Sequence, residues 1–238
     1  MKYHYQFKPT LIPTIATLII LLLFIKLGFW QLDRAKQNQT LMHNYIQRSI
    51  LPPLTAQDLN KSPLNLNFFH IQLSGFYDNP HSLLLDNKIY RGQLGYQVLT
   101  PFILNNHKIV LINRGWISQG HSREQLPLIP AATDNQLING IIRIPEKSFT
   151  LGPNETTISW PLLIQRIEIA NLSQMIGKSL YPVIIELSPN QPSGFICDWS
   201  PLNYVSPQRN RGYAVQWFTL ALTLIIIFIA LNLHRKSK

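Results

Sequence analysis

The side chains best suited to bind a metal, or to act as nucleophile or general base, are seven histidines and one cysteine in a chain of 238 residues. Their spacing brings no two of them to metal-ligand separation. His43, His70, His81, His107 and His121 are scattered through the middle of the chain, and His4 and His234 lie near its ends. His70 falls in a stretch of strand character, His81 and His107 in turns, and His121 in a glycine-flanked loop. Isolated surface histidines are the expectation, because a site needs convergent groups. Cys197, followed by Asp198 and Trp199, has no histidine in its local sequence and reads as a buried, inert thiol. No Gly-x-Ser-x-Gly elbow, His-Glu-x-x-His, Cys-x-x-Cys or glycine-rich phosphate loop occurs. Binding is therefore expected rather than turnover, with no catalytic residue and no metal ligand assigned.

Groups suited to recognition gather in three places. Trp30, Gln31 and Arg34 follow one apolar segment, and Arg209, Asn210, Arg211, Tyr213, Gln216 and Trp217 open a second. Trp30 and Arg34 are four residues apart, as are Tyr213 and Trp217, so each pair shares a helix face. An aromatic belt with basic headgroup contacts accounts for the Trp, Tyr and Arg residues. It accounts less well for Gln216, whose amide is costly within a span unless it is bonded. Hydrogen bonding between the two helices is one answer, and a partner-binding collar is another. The third place is Asn113-Arg114-Gly115-Trp116, at the end of an apolar strand. Read as structure, Gly115 permits a bulge or a close backbone approach, Arg114 pairs with an acid and Trp116 packs in the core. Read as function, an exposed Arg-Gly-Trp edge recognises a partner. Both readings stand at this point.

The elements that must position these groups follow from the hydropathy pattern. Leu11 to Phe29 is apolar but for Lys26, and Tyr213 to Leu233 carries no charge. As helices they would be roughly 28 and 31 Å long, enough to cross a hydrocarbon core of about 30 Å. Lys2 and Lys8 precede the first segment, and Arg235, Lys236 and Lys238 follow the second, so both tails are expected on the cytoplasmic side. The region between holds 15 Lys and Arg and all 11 acids, a net charge of only +4 against +10 for the chain, which argues against nucleic acid as a partner. No small-residue cleavage site follows the first segment, so it is expected to stay as an anchor, with Lys26 snorkelling to the headgroups. The short tail lacks the Arg and Ser of a transit peptide, which favours a bacterial inner membrane and a periplasmic central domain. With a single cysteine, that domain has no internal disulfide and depends on its core.

Within the central region, Leu32 to Ile50 reads as a helix continuing the first span until Leu51-Pro52-Pro53 stops it. Strands are predicted over Phe68–Tyr77, Leu83–Asp86, Gly95–Leu104, Lys108–Ile117, Leu137–Ile144 and Pro182–Leu187. The third and fourth form a hairpin about Asn105-Asn106-His107. A short helix from Ile167 ends at Gly177. The expected fold is two transmembrane α-helices flanking an antiparallel β-rich α+β extracytoplasmic domain, a sheet or partly closed barrel. Its boundaries are a tail over 1–10, a span over 11–29, the domain over 30–212, a span over 213–233 and a basic tail over 234–238.

This layout, with its motifs in order, resembles the Surfeit-locus-one family of cytochrome c oxidase assembly proteins. Gly28-x-Trp30-Gln31-x-x-Arg34 is similar to the family's exit from its first span. Gly75-x-Tyr77, then Gly95-Tyr96 with Pro101, resemble its early strands, and Asn113-Arg114-Gly115-Trp116-Ile117 resembles its Asn-Arg-Gly-Trp-Val signature. Gly212-Tyr213-Ala214-Val215-Gln216-Trp217-Phe218 resembles the start of its second span. The resemblance implies an assembly factor for a haem-copper oxidase. Its partners would be the oxidase core subunit, the lipid bilayer and proteins that deliver haem a. It implies haem a as a ligand of some bacterial members, through a histidine just before Gly-Tyr-Ala. Here Asn210 holds that place, and an amide substitutes poorly for imidazole on haem iron. Two alternatives from other classes are an envelope scaffold unrelated to respiration and an envelope enzyme with an unrecognised site.

Overall fold

The computed structural model describes residues 4–120, 125–132, 135–145, 159–199 and 206–236. His121 lies outside the described residues. In chain order the elements are β1 (His4–Phe7), α1 (Leu11–Ser49), β2 (His70–Tyr77), β3 (Leu83–Tyr90), β4 (Gln93–Leu104), β5 (Ile109–Ser118), β6 (Gln136–Arg143), β7 (Leu162–Ile164), α2 (Ile169–Ile176), β8 (Leu180–Leu187), α3 (Pro207–Asn232) and β9 (Leu233–Lys236). They form two compact units, one of residues 1–43 with 200–238 and the other of residues 44–199.

In the first unit α1 and α3 run antiparallel. Both are long and apolar enough to cross a membrane, and their apolar side chains are largely exposed rather than buried in a protein core. Small residues line the seam: Gly28, Ala35, Ala214 and Ala221 are buried. Gly28 admits the Phe218 ring so closely that a Cβ there would stand 2.6 Å from it. Ring contacts of Phe24 with Trp217, at 5.7 Å, and Phe29 with Phe218, at 5.5 Å, continue the seam. Without a hydrophobic drive in lipid, such close packing is what holds two helices together. Ser206 caps α3 by accepting the Arg209 N–H, and Pro207 takes a first-turn position where no N–H is needed. At the far end β1 pairs antiparallel with β9, and Phe7 packs on Phe228. This two-stranded clasp was not foreseen from the sequence.

The second unit begins within the last turns of α1, where Tyr45 packs on Phe68 and Arg48 donates to the Asn67 carbonyl at 2.5 Å. The helix stops before Pro52-Pro53, as expected. The sheet order is β2-β6-β8-β5-β4-β3-β7, with a further pairing of β2 to β4. That pairing closes β2, β6, β8, β5 and β4 into a ring, so that of the two forms expected, a sheet or a partly closed barrel, the structure takes the second. The ring closes because β4 divides one edge between two partners. Its residues up to Leu99 pair with β3, and Phe102–Leu104 pair with β2. Most pairings are antiparallel, but β5–β8 and β3–β7 are parallel. Alternating side chains of the ring, among them Ile71, Leu73, Phe102, Ile112, Ile138 and Ile185, fill its interior. A second core of Leu83, Leu99, Leu111, Leu162, Leu172 and Ile184 lies under α2. Gly177, in the left-handed region at φ 70°, ends α2 as predicted. Strand β3 runs four residues past the predicted Asp86, and β7 was not predicted, three residues being too short for a period to show.

Asp78 ties the β2–β3 turn to the link between α2 and β8. It accepts from His81 Nδ1 at 2.8 Å and from Lys178 Nζ at 3.1 Å. Burial works against its charge, but the two hydrogen bonds more than offset this and its pKa lies below the usual value. A lowered carboxylate contributes stability that is present above the unfolded pKa, near 4, and is lost as pH falls through the folded value. Asp78→Asn should thus cost about 1 kcal/mol at pH 7, Lys178 being part-exposed, and progressively less below pH 4. Urea unfolding at pH 7 and pH 3 measures this, and a difference independent of pH would contradict it.

Candidate functional site: a helix-pair collar and a bulged strand

The collar residues of the first unit divide into two sets by burial. Gln31 and Asn210 face inward, joined by Asn38. The Asn210 Nδ2 donates to Gln31 Oε1 at 2.8 Å, and Asn210 Oδ1 accepts from Asn38 Nδ2 at 3.1 Å. Gln31 and Asn38 are seven residues apart, two helical turns on one face, so a single amide from α3 bridges both. Asn38 was not singled out in the sequence, although this spacing was there to read. Asn210 is 5 % exposed and hydrogen-bonded at both ends of its amide, so it does not fit the role of a haem-iron ligand. Its chemistry is that of a clamp between helices.

Trp30, Arg34, Arg209, Arg211, Tyr213 and Gln216 are exposed. Arg211 on α3 donates across to Gln39 Oε1 on α1 at 2.8 Å, and Arg34 donates to Gln37 Oε1 on its own helix at 3.1 Å. Trp217 is half-buried against Phe24. Of the two answers considered for Gln216, bonding between the helices is not what the structure shows: Gln216 is exposed, and the amides that bond across are Gln31, Asn38, Asn210 and, through Arg211, Gln39. Around the collar, residues 30–39 and 206–213 hold four cations to one acid, Asp33.

The Asn-Arg-Gly-Trp motif lies in the second unit, on β5. The register against β4 pairs Val98 with Gly115 and Leu99 with Asn113, so Arg114 is the extra residue of a β-bulge. Asn113 Oδ1 accepts the Gly115 N–H at 3.2 Å and stabilises the kink. Gly115 has φ 113° and lies under the strand-like segment at Ile196, whose carbonyl oxygen would be 2.8 Å from an added Cβ. The expected bulge and close approach are both present.

Arg114 does not form the exposed edge considered for it, and among the described residues it pairs with no acid. It is 2 % exposed, with Tyr77 and Phe195 rings on it at 5.0 and 4.9 Å. Its Nε donates to the Ser193 carbonyl at 2.8 Å and its Nη2 to the Pro130 carbonyl at 3.2 Å. Burial disfavours the charged form and lowers its pKa. Trp116, 7 % exposed, donates its indole N–H to the Lys88 carbonyl at 2.9 Å. Cation–π contacts and carbonyls thus stand in for a counter-ion, and the motif works as a knot in the domain. Tyr77, Ser193 and Phe195 complete it from distant positions that no local pattern marks. Cys197 joins the same knot, bonded to the Arg114 carbonyl at 3.2 Å, and burial pushes its thiol up to about 11. That agrees with the inert reading. No cluster of three or more potential metal ligands occurs among the described residues.

Two spanning-length helices locked by an amide clamp, with a partly closed β-barrel carrying an Arg-Gly-Trp knot between them in sequence, define a membrane-tethered β-domain protein. The chain belongs to the SURF1 family, whose match runs over residues 18–222 and takes in the barrel and the greater part of each helix. It is 27 % identical to a SURF1-like protein of Rickettsia bellii over 90 % of this chain and 88 % of that one. Identity to a SURF1-like protein of Rickettsia prowazekii is 28 %, over 89 % of this chain and 87 % of the relative. An uncharacterised SURF1-like protein of Mycobacterium bovis is 22 % identical over 84 % of this chain and 74 % of its own length.

Proposed function

We propose that this chain is a non-enzymatic assembly factor for a haem-copper terminal oxidase. In this reading it acts at the outer face of a bacterial inner membrane, with its central domain in the periplasm. Membership of the SURF1 family across residues 18–222 is the observation that carries the reading. The collar supports docking on the oxidase core subunit: Trp30 and Tyr213 offer apolar surface, and Arg34, Arg209 and Arg211 offer charge beside it. Aromatic and Arg residues are enriched among those that dominate protein interfaces. Protein docking is favoured over ligation of haem iron because the Asn210 amide is committed to Gln31 and Asn38. Proteins that deliver haem a are secondary partners in this scheme.

The test is a reduced-minus-oxidised difference spectrum of membranes, with cytochrome c oxidase activity, from a deletion strain. Loss of the haem a signal and of activity, both restored by the wild-type gene, is the expected result. An Arg34→Glu/Arg209→Glu variant should accumulate normally, since both side chains are exposed and neither bonds the two helices together among the described residues, yet restore several-fold less activity. Full restoration by the variant would remove the collar from the docking surface. Unchanged spectra on deletion would overturn the assembly role and favour an envelope scaffold.

A further inference from the structure

The parallel pairing of β5 with β8 breaks once. Ile109 faces Leu180 and Leu111 faces Ile184, so β5 advances two residues where β8 advances four. The surplus falls within Tyr181-Pro182-Val183. Pro182 has no N–H to give to a ladder, and a proline inside a sheet is confined to edges and bulges. A bulge disrupts the ladder locally and bends its strand. Beside this one lies a cleft of about 640 Å³, between the β4–β5 turn and the link from α2 to β8. Sites for small ligands run from roughly 300 to 1,000 Å³. Ile109 and Leu180, 5 % and 7 % exposed, and the half-buried Ile103 give the cleft an apolar lining.

Two lysines lie on the cleft, and their surroundings differ. Lys178 donates to Asp78 at 3.1 Å, so its charge already has a counter-ion. Lys108 has only neutral partners. Its Nζ donates to Asn60 Oδ1 at 2.7 Å and lies 5.4 Å from the centroid of the Tyr181 ring. The Tyr181 hydroxyl donates to the same Asn60 oxygen at 3.1 Å. Tyr181, carried by the bulge, thus holds Lys108 in place, while an ammonium with three N–H groups keeps donors for a further acceptor. Among the described residues Lys108 forms no ion pair, and no acid lines the cleft.

We propose that this cleft binds a small amphipathic monocarboxylate, its carboxylate on Lys108 and its apolar body against Ile103, Ile109 and Leu180. The apolar lining calls for the body, and the single uncompensated cation calls for one negative charge. A charge-assisted hydrogen bond from the ammonium is roughly twice as strong as a neutral one, which sets the acid apart from its neutral analogues. A lysine already held in position loses little conformational freedom on binding. The site shares no residue with the collar, so it holds whether or not an oxidase is served.

Methyl NMR of the full-length chain in phosphatidylcholine nanodiscs, with its isoleucine methyls labelled, tests this. The probe is 4-phenylbutyrate, and 4-phenylbutanamide is its neutral control. The Ile103 and Ile109 signals should shift saturably with the carboxylate, and the amide should bind several-fold more weakly. Lys108→Gln should weaken carboxylate binding several-fold as well. It should leave unfolding by urea unaltered, because the side chain is exposed and glutamine can still donate to Asn60. Absence of a saturable shift would overturn the proposal. Equal binding of acid and amide, or equal binding by Lys108→Gln, would do the same, since the anion would then play no part. Shifts that grow without saturation, at the isoleucines of α1 and α3 as much as at Ile103, would mean that the probe enters the bilayer and would also count against the site. Shifts that appear only with a hexapeptide of alternating leucine and glutamate would assign the cleft to protein docking instead.

Discussion

A Gly115→Ala variant is expected to lose about 3 kcal/mol of unfolding free energy, the sum of backbone strain and overpacking. Gly115 has φ 113°, a region that L side chains rarely adopt, so alanine is strained there whatever the space. Space is missing as well: the added Cβ would stand 2.8 Å from the Ile196 carbonyl oxygen and 3.1 Å from Cys197 Sγ. The backbone around the bulge must then open, and with it the seat of Arg114, whose carbonyl accepts from the Phe195 N–H and from Cys197. For a domain of this size the midpoint of thermal unfolding should fall by roughly 10 °C. A second readout separates local opening from global loss. The Cys197 thiol, raised to about 11 by burial, should become several-fold more reactive toward a disulfide reagent. An unchanged midpoint with unchanged thiol reactivity would show that the bulge tolerates a side chain and that the knot is not what Gly115 serves.

Gly75→Ala should have an effect of similar size by a different route. Gly75 lies where β2 pairs with both β6 and β4, opposite Leu104 on the ring-closing seam. An added Cβ would stand 2.1 Å from the Ile103 carbonyl oxygen and 2.9 Å from the Phe102 ring. The first of these neighbours is backbone and cannot swing away. Relief requires β2 to part from β4, which opens the ring on its Phe102 side. About 3 kcal/mol is again the expected loss, at the upper end for an inserted methyl in a packed core. Amide exchange gives the location. Residues 75–77 and 102–104 should exchange faster, while the β6–β8 pairing keeps its protection. Uniformly faster exchange would mean that the barrel unfolds as one unit and that the seam is no weaker than its other edges.

Burial shows where local reasoning about the site held and where it ended. The Asn-Arg-Gly-Trp stretch was readable as a bulge because glycine after an apolar strand has few other uses. Whether Arg114 was buried or exposed was not readable, since Ser193, Pro130, Tyr77 and Phe195 reach it from separate parts of the chain. The same holds for the amides. Gln216 and Asn210 are both polar groups near a span, six residues apart on one helix, and nothing in that spacing says which of them meets the other helix. Rotation of α3 against α1 decides it, and the rotation is set by Gly28 receiving Phe218 and by the buried alanines.

Determined by the sequence alone were the two spanning-length helices, the helical run to Ser49, six of the strands, the α2 cap at Gly177 and the family. Each rests on a local period, a local composition or an ordered set of motifs. Tertiary structure alone decided the closure of the ring through β2 and β4, the parallel β5–β8 and β3–β7 pairs, the β1–β9 clasp, the buried cation at Arg114 and the clamp at Asn210. These depend on groups tens of residues or more apart, and their free energy appears only when packing brings them together and removes water from between them.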